Sequence, residues 1–203
     1  MRKIIVMLMS LFAVSNLSAQ GADEWLQGLR SSLGERYAME LFVEMGGVES
    51  VDDQLMGYFM VDGDGYYIKL GQMEVYSDGK LRYEVNNERK EVVEDRVNLE
   101  SVDLLSNPTR AFCFLPDEFS ASVLKSSSDS ATLNLVPKSE DMGITAILLS
   151  LERNGSKVVP TAVSYDYDGD LVTITLTMLD ASDLKLRKWE KSAYRAYDIV
   201  SFL

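Results

Sequence analysis

The sequence predicts a mainly β fold with a few helices, of the α+β class. Apolar and polar residues alternate with a period of two along most of the chain, which indicates strands with one buried face. Gly, Asp and Asn separate these runs at short intervals, as in hairpin turns. Helical spacing of apolar residues is confined to two segments. We therefore predict eleven strands, one N-terminal helix and a helical insertion.

The helix is predicted over residues 23–34. Asp23 is a suitable N-cap, and the apolar residues that follow have helical spacing: Trp25, Leu26, Leu29 and Leu33. The period then changes to two over 37–45, which predicts the first strand. A meander follows, with strands predicted at 55–61, 65–70, 73–77, 81–85 and 89–94.

The segment 98–115 interrupts the strands. Its apolar spacing predicts one or two short helices, broken at Asn107-Pro108 and ended by Pro116. A second meander then has strands predicted at 119–126, 130–137, 144–152, 158–166 and 170–178. Residues 180–203 show no clear period and receive no assignment. Because no low-complexity linker divides the chain, we predict a single domain over 20–203.

The first 19 residues have the layout of a secretory signal peptide. Arg2 and Lys3 precede an apolar run over 4–14 that is short for a membrane span, and Leu17-Ser18-Ala19 offers a small residue at the cleavage site. An uncleaved N-terminal anchor is the alternative. Since no cysteine follows the run, lipidation there is excluded. We expect cleavage near Ala19 and a soluble protein in an extracytoplasmic compartment.

Charge and composition exclude several functions. A net charge of −12 disfavours nucleic acid and anionic membrane surfaces as partners. The absence of histidine removes the commonest general base and metal ligand, and we expect no catalytic residues, metal site or cofactor. Cys113, the only cysteine, is expected to be buried. A hidden pair of catalytic carboxylates stays open as an alternative, whereas the acidic stretches 62–65 and 166–170 are interpreted as hairpin turns rather than calcium loops.

Met and Tyr are the distinctive apolar residues of this chain. Unbranched Met side chains adapt to irregular space, and Tyr combines an apolar body with a polar tip. They can form an ordinary core, or they can line a volume that binds an apolar ligand.

The order of elements and several short stretches resemble the periplasmic lipoprotein carriers of the LolA family. The stretches are Gly57-Tyr58-Phe59, Ser77-Asp78-Gly79-Lys80, Leu133–Lys138 and Leu171–Leu176. The resemblance covers most of residues 22–180. It implies an unclosed antiparallel half-barrel of about eleven strands with a helical lid, whose apolar cavity holds the acyl chains of lipoproteins or related lipids. It also implies a carrier rather than an enzyme, an inner-membrane transporter and an outer-membrane acceptor as partners, and a monomer.

The resemblance also implies where the ligand lies. The candidate cavity residues are Met39, Leu41, Tyr58, Met60, Ile68, Met73, Val75, Leu81 and Tyr83. The candidate lid residues are Trp25, Leu29, Phe112 and Phe114. The family's Arg-Pro step after the second strand, which helps to hold the lid closed, is replaced here by Val61-Asp62-Gly63-Asp64. The alternative function is a periplasmic lipid or lipoprotein sensor, or a scaffold, with the same fold.

Overall fold

A single twelve-stranded sheet dominates the part of the chain that the structure, a computed structural model, describes: residues 21–45, 55–139, 144–167 and 170–203. The strand order is β12-β6-β5-β4-β3-β2-β1-β11-β10-β9-β8-β7. Neighbouring strands are antiparallel, except that β12 runs parallel to β6. Because β12 and β7 are the two ends of this order, the sheet is open. The predicted class, a mainly β fold with an unclosed sheet, is confirmed.

All eleven predicted strands are present, with shifted ends in several cases. The first half of the sheet has β1 (Arg36–Met45), β2 (Leu55–Asp62), β3 (Gly65–Leu70), β4 (Met73–Ser77), β5 (Leu81–Asn86) and β6 (Glu91–Arg96). The second half has β7 (Phe119–Ser126), β8 (Ser130–Pro137), β9 (Ile147–Asn154), β10 (Lys157–Tyr167) and β11 (Asp170–Leu179). The twelfth, β12 (Asp198–Ser201), lies in the C-terminal segment for which the pattern predicted no element.

The predicted helix is also present, as α1 over residues 21–33. It ends at Gly34, whose φ of 63° is the left-handed conformation that glycine adopts readily after a helix. The helix lies close to β10: a Cβ at Gly28 would come within 2.8 Å of a Val158 methyl group. Ser32 Oγ accepts the backbone N–H of Val158 at 2.8 Å. This contact fixes the helix over one face of the second half of the sheet.

The insertion consists of consecutive turns, so the prediction of short helices there is wrong. Polar side chains compete for the backbone groups that a helix would use. Asn98 Oδ1 accepts the N–H of Glu100 at 3.0 Å, and Asp103 Oδ1 accepts that of Leu105 at 3.1 Å. These local bonds stabilise turns, although the spacing of the apolar residues alone would suit a helix.

Each face of the sheet carries its own apolar cluster. The face covered by α1 and the insertion, called here the inner face, holds a cluster that runs from β4 across to β7, with members such as Phe59, Ile68 and Leu149. The opposite, outer face carries a smaller cluster built on Tyr67 and Tyr76. Adjacent residues of β3, Tyr66 and Tyr67, therefore belong to different clusters because strand side chains alternate.

The C-terminal segment crosses the outer face. After β11 the chain contributes Leu186, Trp189, Tyr194 and Tyr197 to the outer-face cluster, forms a single 3-10 turn over Lys191–Tyr194, and pairs as β12 with β6. We call residues 180–201 the strap.

Two sequence predictions are not tested by the described residues. The predicted signal peptide, residues 1–19, lies outside them, and the single-domain assignment stays a prediction. Among the described residues, no helix has the length and apolar character required to cross a bilayer.

Candidate functional site

The candidate site is the layer between the inner face of the sheet and its cover. We call this cover the lid and define it as α1 together with residues 97–118. The lid contributes buried apolar side chains to the inner-face cluster, including Leu29, Leu104, Phe112 and Phe114. Between the insertion and β9–β10 the remaining cavity measures about 10 Å³. At this position the described side chains of the lid and the sheet nearly fill the layer.

Two tyrosine hydroxyls join the sheet to the insertion. Tyr37 donates to the carbonyl oxygen of Pro108 at 2.7 Å, and Tyr66 donates to that of Ser106 at 3.0 Å. Burial, with a smaller contribution from nearby Cys113, raises the pKa of Tyr37, so its hydroxyl stays a donor. These two bonds connect β1 and β3 to the middle of the lid.

Other polar contacts hold the insertion in its own shape. The Arg110 guanidinium donates to both carboxylate oxygens of Glu118 at 2.8 Å and to the carbonyl oxygen of Leu99 at 2.6 Å. The Asn107 side chain, fully buried, donates to the carbonyl oxygen of Asn98 at 3.1 Å. The insertion is thus closed on itself and touches the sheet mainly through apolar groups. Cys113 within it is half-buried rather than buried, with its thiol 3.7 Å from the Thr109 carbonyl oxygen.

Nine of the thirteen predicted site residues lie in this layer. The four lid residues Trp25, Leu29, Phe112 and Phe114 are buried in the inner-face cluster. Met39, Leu41, Ile68 and Val75 are buried in the same cluster on the sheet side. Met73 is half-buried and pairs with Leu70, a member of that cluster. That these residues bind a ligand stays a prediction.

The other four predicted cavity residues lie on the outer face, which corrects the expectation of one shared face. Met60 pairs with Tyr67, and Tyr58 and Tyr83 pack against the outer-face cluster. Leu81 alternates with Arg82 and so shares the side of Tyr83. The physical reason is that apolar residues occupy both faces of β2 and β3, so their alternation does not show which face is covered.

Sequence reasoning omitted the aromatic residues at the centre of the inner face. Tyr37, Phe59 and Tyr66 are each 6% exposed or less, and Phe59 and Tyr37 form an edge-to-face pair with ring centroids 6.0 Å apart. The signal that could have found them is the cross-strand register: Met39 lies opposite Phe59, which lies opposite Ile68.

The outer face has a polar centre beneath the strap. Glu74 accepts hydrogen bonds from the hydroxyls of Tyr76 at 2.7 Å and Tyr67 at 2.8 Å and from the Asn87 amide at 2.9 Å. Burial alone would raise the pKa of Glu74, but these hydrogen bonds and the charge of Lys69 lower it to about 2. Arg187 of the strap donates to the Tyr67 hydroxyl at 3.0 Å.

The strap itself is held by aromatic stacking. Trp189 stacks on Tyr83 at 4.6 Å and 9° on one side and on Tyr194 at 4.8 Å and 11° on the other. The outer-face cluster is therefore occupied by the protein's own C-terminal segment.

An open cleft of about 610 Å³ lies where α1 ends and β1 begins. Its apolar lining includes Leu33 and Tyr37, and its polar lining includes Arg36, Lys157 and Asp180. It borders the inner-face cluster, to which Leu33 and Tyr37 belong. Across the described residues, no group of three or more Asp, Glu or Cys side chains is placed to hold a metal ion.

Comparisons with known proteins identify similar folds. No protein-family model matches the sequence, and no curated protein matches it. Among solved structures, an uncharacterized conserved protein from Thermus thermophilus matches with a TM-score of 0.52 at 10% identity, over 89% of this chain and 99% of that one.

Two further matches are a LolA superfamily protein from Nitrosomonas europaea and the lipoprotein LppX from Mycobacterium tuberculosis. The first has a TM-score of 0.42 at 11% identity, over 87% of this chain and 97% of that one. The second has a TM-score of 0.40 at 11% identity, over 81% of this chain and 99% of that one. At 10% identity, the TM-score of 0.52 with the Thermus thermophilus protein shows a likeness of fold.

Proposed function

We propose that the protein is a periplasmic carrier that binds acyl chains of lipoproteins, or of related lipids, between the inner face and the lid. The observation that supports this most is the composition of the layer: a continuous apolar cluster covered by α1 and by a chain of turns that the hydroxyls of Tyr37 and Tyr66 join to the sheet. The LolA resemblance of the sequence points to the same function. In this proposal the carrier takes its cargo toward the outer membrane.

The physics of the layer suits such a ligand. Because the space beneath the insertion is about 10 Å³, an acyl chain has to displace lid side chains to bind. That displacement exchanges one apolar contact for another, and each buried methylene contributes about 0.8 kcal/mol. Binding then shifts the protein from a closed to an open state, and release follows when the lid closes again.

The two tryptophans allow a test with an internal control, because each reports on one face. Trp25 lies in the lid at 7% exposure, and Trp189 lies in the strap on the outer face. The probe is a brominated fatty acid, which quenches indole fluorescence at close range. It is titrated into two variants: Trp189→Phe, which keeps only Trp25, and Trp25→Phe, which keeps only Trp189. The proposal expects saturable quenching of Trp25 with little effect on Trp189. Quenching of Trp189 alone, or of neither, contradicts it.

The alternative function is a sensor or scaffold with the same fold. The observation that favours it is that β2 and β3 carry apolar residues of both clusters, so a movement on the inner face reaches the outer face through shared strands. A sensor binds a protein partner with an affinity that changes when acyl ligand is present. A carrier binds about one acyl ligand per chain and delivers it to acceptor vesicles, whether or not a protein partner is added.

A further inference from the structure

We propose that the open cleft at the end of α1 holds an anionic headgroup of the ligand, while the acyl chain runs from there into the inner-face cluster. This inference rests on the proposed acyl-binding function and adds to it the position and charge of the ligand's polar end. Three features of the cleft support it: its continuity with the apolar layer, its size and the charges at its rim.

The cleft is continuous with the apolar layer. Leu33 and Tyr37, which line it, are 8% and 6% exposed and belong to the inner-face cluster. Met178, also in the lining, packs against that cluster. A chain placed in the cleft therefore meets apolar side chains that lead under the lid.

The size of the cleft separates it from two other spaces along the described part of the lid. Its volume of about 610 Å³ falls within the roughly 300–1,000 Å³ of small-molecule sites. The two smaller spaces, beneath the insertion and between the start of α1 and β7, measure about 10 Å³ and 30 Å³. Only the first of these three has room for a headgroup without rearrangement.

The rim of the cleft offers cationic donors to an anionic group. Arg36 and Lys157 bring two positive charges to the cleft in a chain whose net charge is −12. Arg36 donates to Asp62 at 3.0 Å and to the carbonyl oxygens of Ala181 and Leu184. Because a guanidinium has five N–H groups, two of them are not used by these three bonds.

Asp180, the carboxylate of the lining, already has partners of its own. It accepts the backbone N–H of Ser182 at 2.9 Å. This bond, and to a smaller extent the nearby charge of Lys157, lowers the pKa of Asp180. An anionic oxygen group of the ligand would lie between Lys157 and the free N–H groups of Arg36, with its chain on Leu33.

The test compares three probes with the same acyl chain: a fatty acid, a lysophosphatidate and a neutral monoacylglycerol. Affinities are measured at about pH 8, where both anionic heads are ionised. The inference expects the anionic probes to bind about threefold more tightly than the neutral one, as for a partly exposed ion pair. Lys157→Glu removes this preference, and Lys125→Glu, an exposed charge reversal on β7, keeps it.

Each outcome has a distinct meaning. A preference for the phosphate probe alone supports a phospholipid-type headgroup, and a preference for the fatty acid alone supports a carboxylate. Equal affinity for all three probes, or an unchanged preference in Lys157→Glu, overturns the headgroup site while the acyl-binding function stands. Failure of all three probes to bind contradicts the proposed function itself. Ala181→Trp, which fills the cleft, is expected to weaken all three, and unchanged affinities in that variant also overturn the inference.

Discussion

The Tyr37 hydroxyl on β1 donates a 2.7 Å hydrogen bond to the carbonyl oxygen of Pro108, 71 positions later in the chain. With the bond from Tyr66 to Ser106, it connects the sheet to the middle of the insertion. The sequence lacks the Arg-Pro step that helps to hold the lid closed in the carriers it resembles. In this protein the two tyrosine bonds join β1 and β3 to the insertion.

Tyr37→Phe is expected to loosen the insertion without unfolding the sheet. Loss of one buried hydrogen bond lowers the free energy of unfolding by about 1 kcal/mol. Hydrogen exchange should accelerate at the Arg110 and Cys113 amides, which donate within the insertion. Tyr58→Phe removes a hydroxyl on the outer face and is the matched control. If both variants lose the same stability and the insertion exchanges no faster in either, the Tyr37 bond does not hold the lid.

Acid should weaken the outer face through Glu74. Its pKa is about 2 in the folded protein against 4.5 ordinarily, so its contribution to stability is present above about pH 4.5 and is lost as the pH falls toward 2. The groups around it include Lys69, Arg187, the Asn87 amide and the hydroxyls of Tyr67 and Tyr76.

The measurement for Glu74 is the free energy of unfolding between pH 6 and pH 2, compared with that of Glu74→Gln. The variant should be less stable than the wild type near pH 6 and should lose less stability than it on acidification. Parallel pH profiles for the two proteins would show that Glu74 does not couple the strap to pH. Glu88→Gln, at an exposed turn, controls for the general effect of removing one acid.

Trp189→Ala should release the strap from the outer face. The indole lies between Tyr83 and Tyr194, and its loss removes both stacking contacts. Each aromatic pair contributes about 0.5–1.5 kcal/mol beyond the buried area. Amides of β12 are expected to lose protection against hydrogen exchange, whereas those of β8 on the far side of the sheet keep theirs. Arg195→Ala, a substitution at an exposed site, is the control and should leave the β12 amides protected. Full protection of β12 in Trp189→Ala as well would contradict the prediction.

Gly57→Ala should be strongly destabilising. A Cβ at this position in β2 would collide with the backbone of β3, at the Lys69 carbonyl oxygen and within 2.9 Å of Leu70 Cα. Since backbone atoms cannot move aside as side chains do, we expect a loss of about 2 kcal/mol or more, measured by chemical denaturation.

Gly155→Ala is the control for Gly57. A Cβ there meets nothing within 4 Å, and its φ of 62° limits the cost to about 1–2 kcal/mol. A smaller loss for Gly57→Ala than for Gly155→Ala would show that β2 and β3 separate easily.

The strands could be predicted because alternation and turn residues are local. The stretch Ser77-Asp78-Gly79-Lys80 forms the expected turn, with Asp78 Oδ1 accepting the N–H groups of Lys80 and Leu81. The insertion was mispredicted because its apolar spacing resembles a helix, while side chains such as Asp103 bind the backbone as turns. β12 was missed because a four-residue strand with one half-buried side chain has no periodic signal of its own.

The face on which each candidate residue lies was only partly predictable. Met39 and Ile68 lie on the covered face, whereas Tyr58 and Tyr83 lie beneath the strap on the other face. Alternation shows that two residues share a face, but it does not show which face another segment covers.

The sequence by itself determined the strands, the N-terminal helix and the mainly β class, because these follow from the periods of neighbouring residues and the turns between them. The open sheet was implied only by the family resemblance. Only the tertiary structure decided which face the lid covers, that the strap occupies the other, and that Tyr37 meets Pro108. Those outcomes depend on contacts between residues far apart in the chain, and no local period records such contacts.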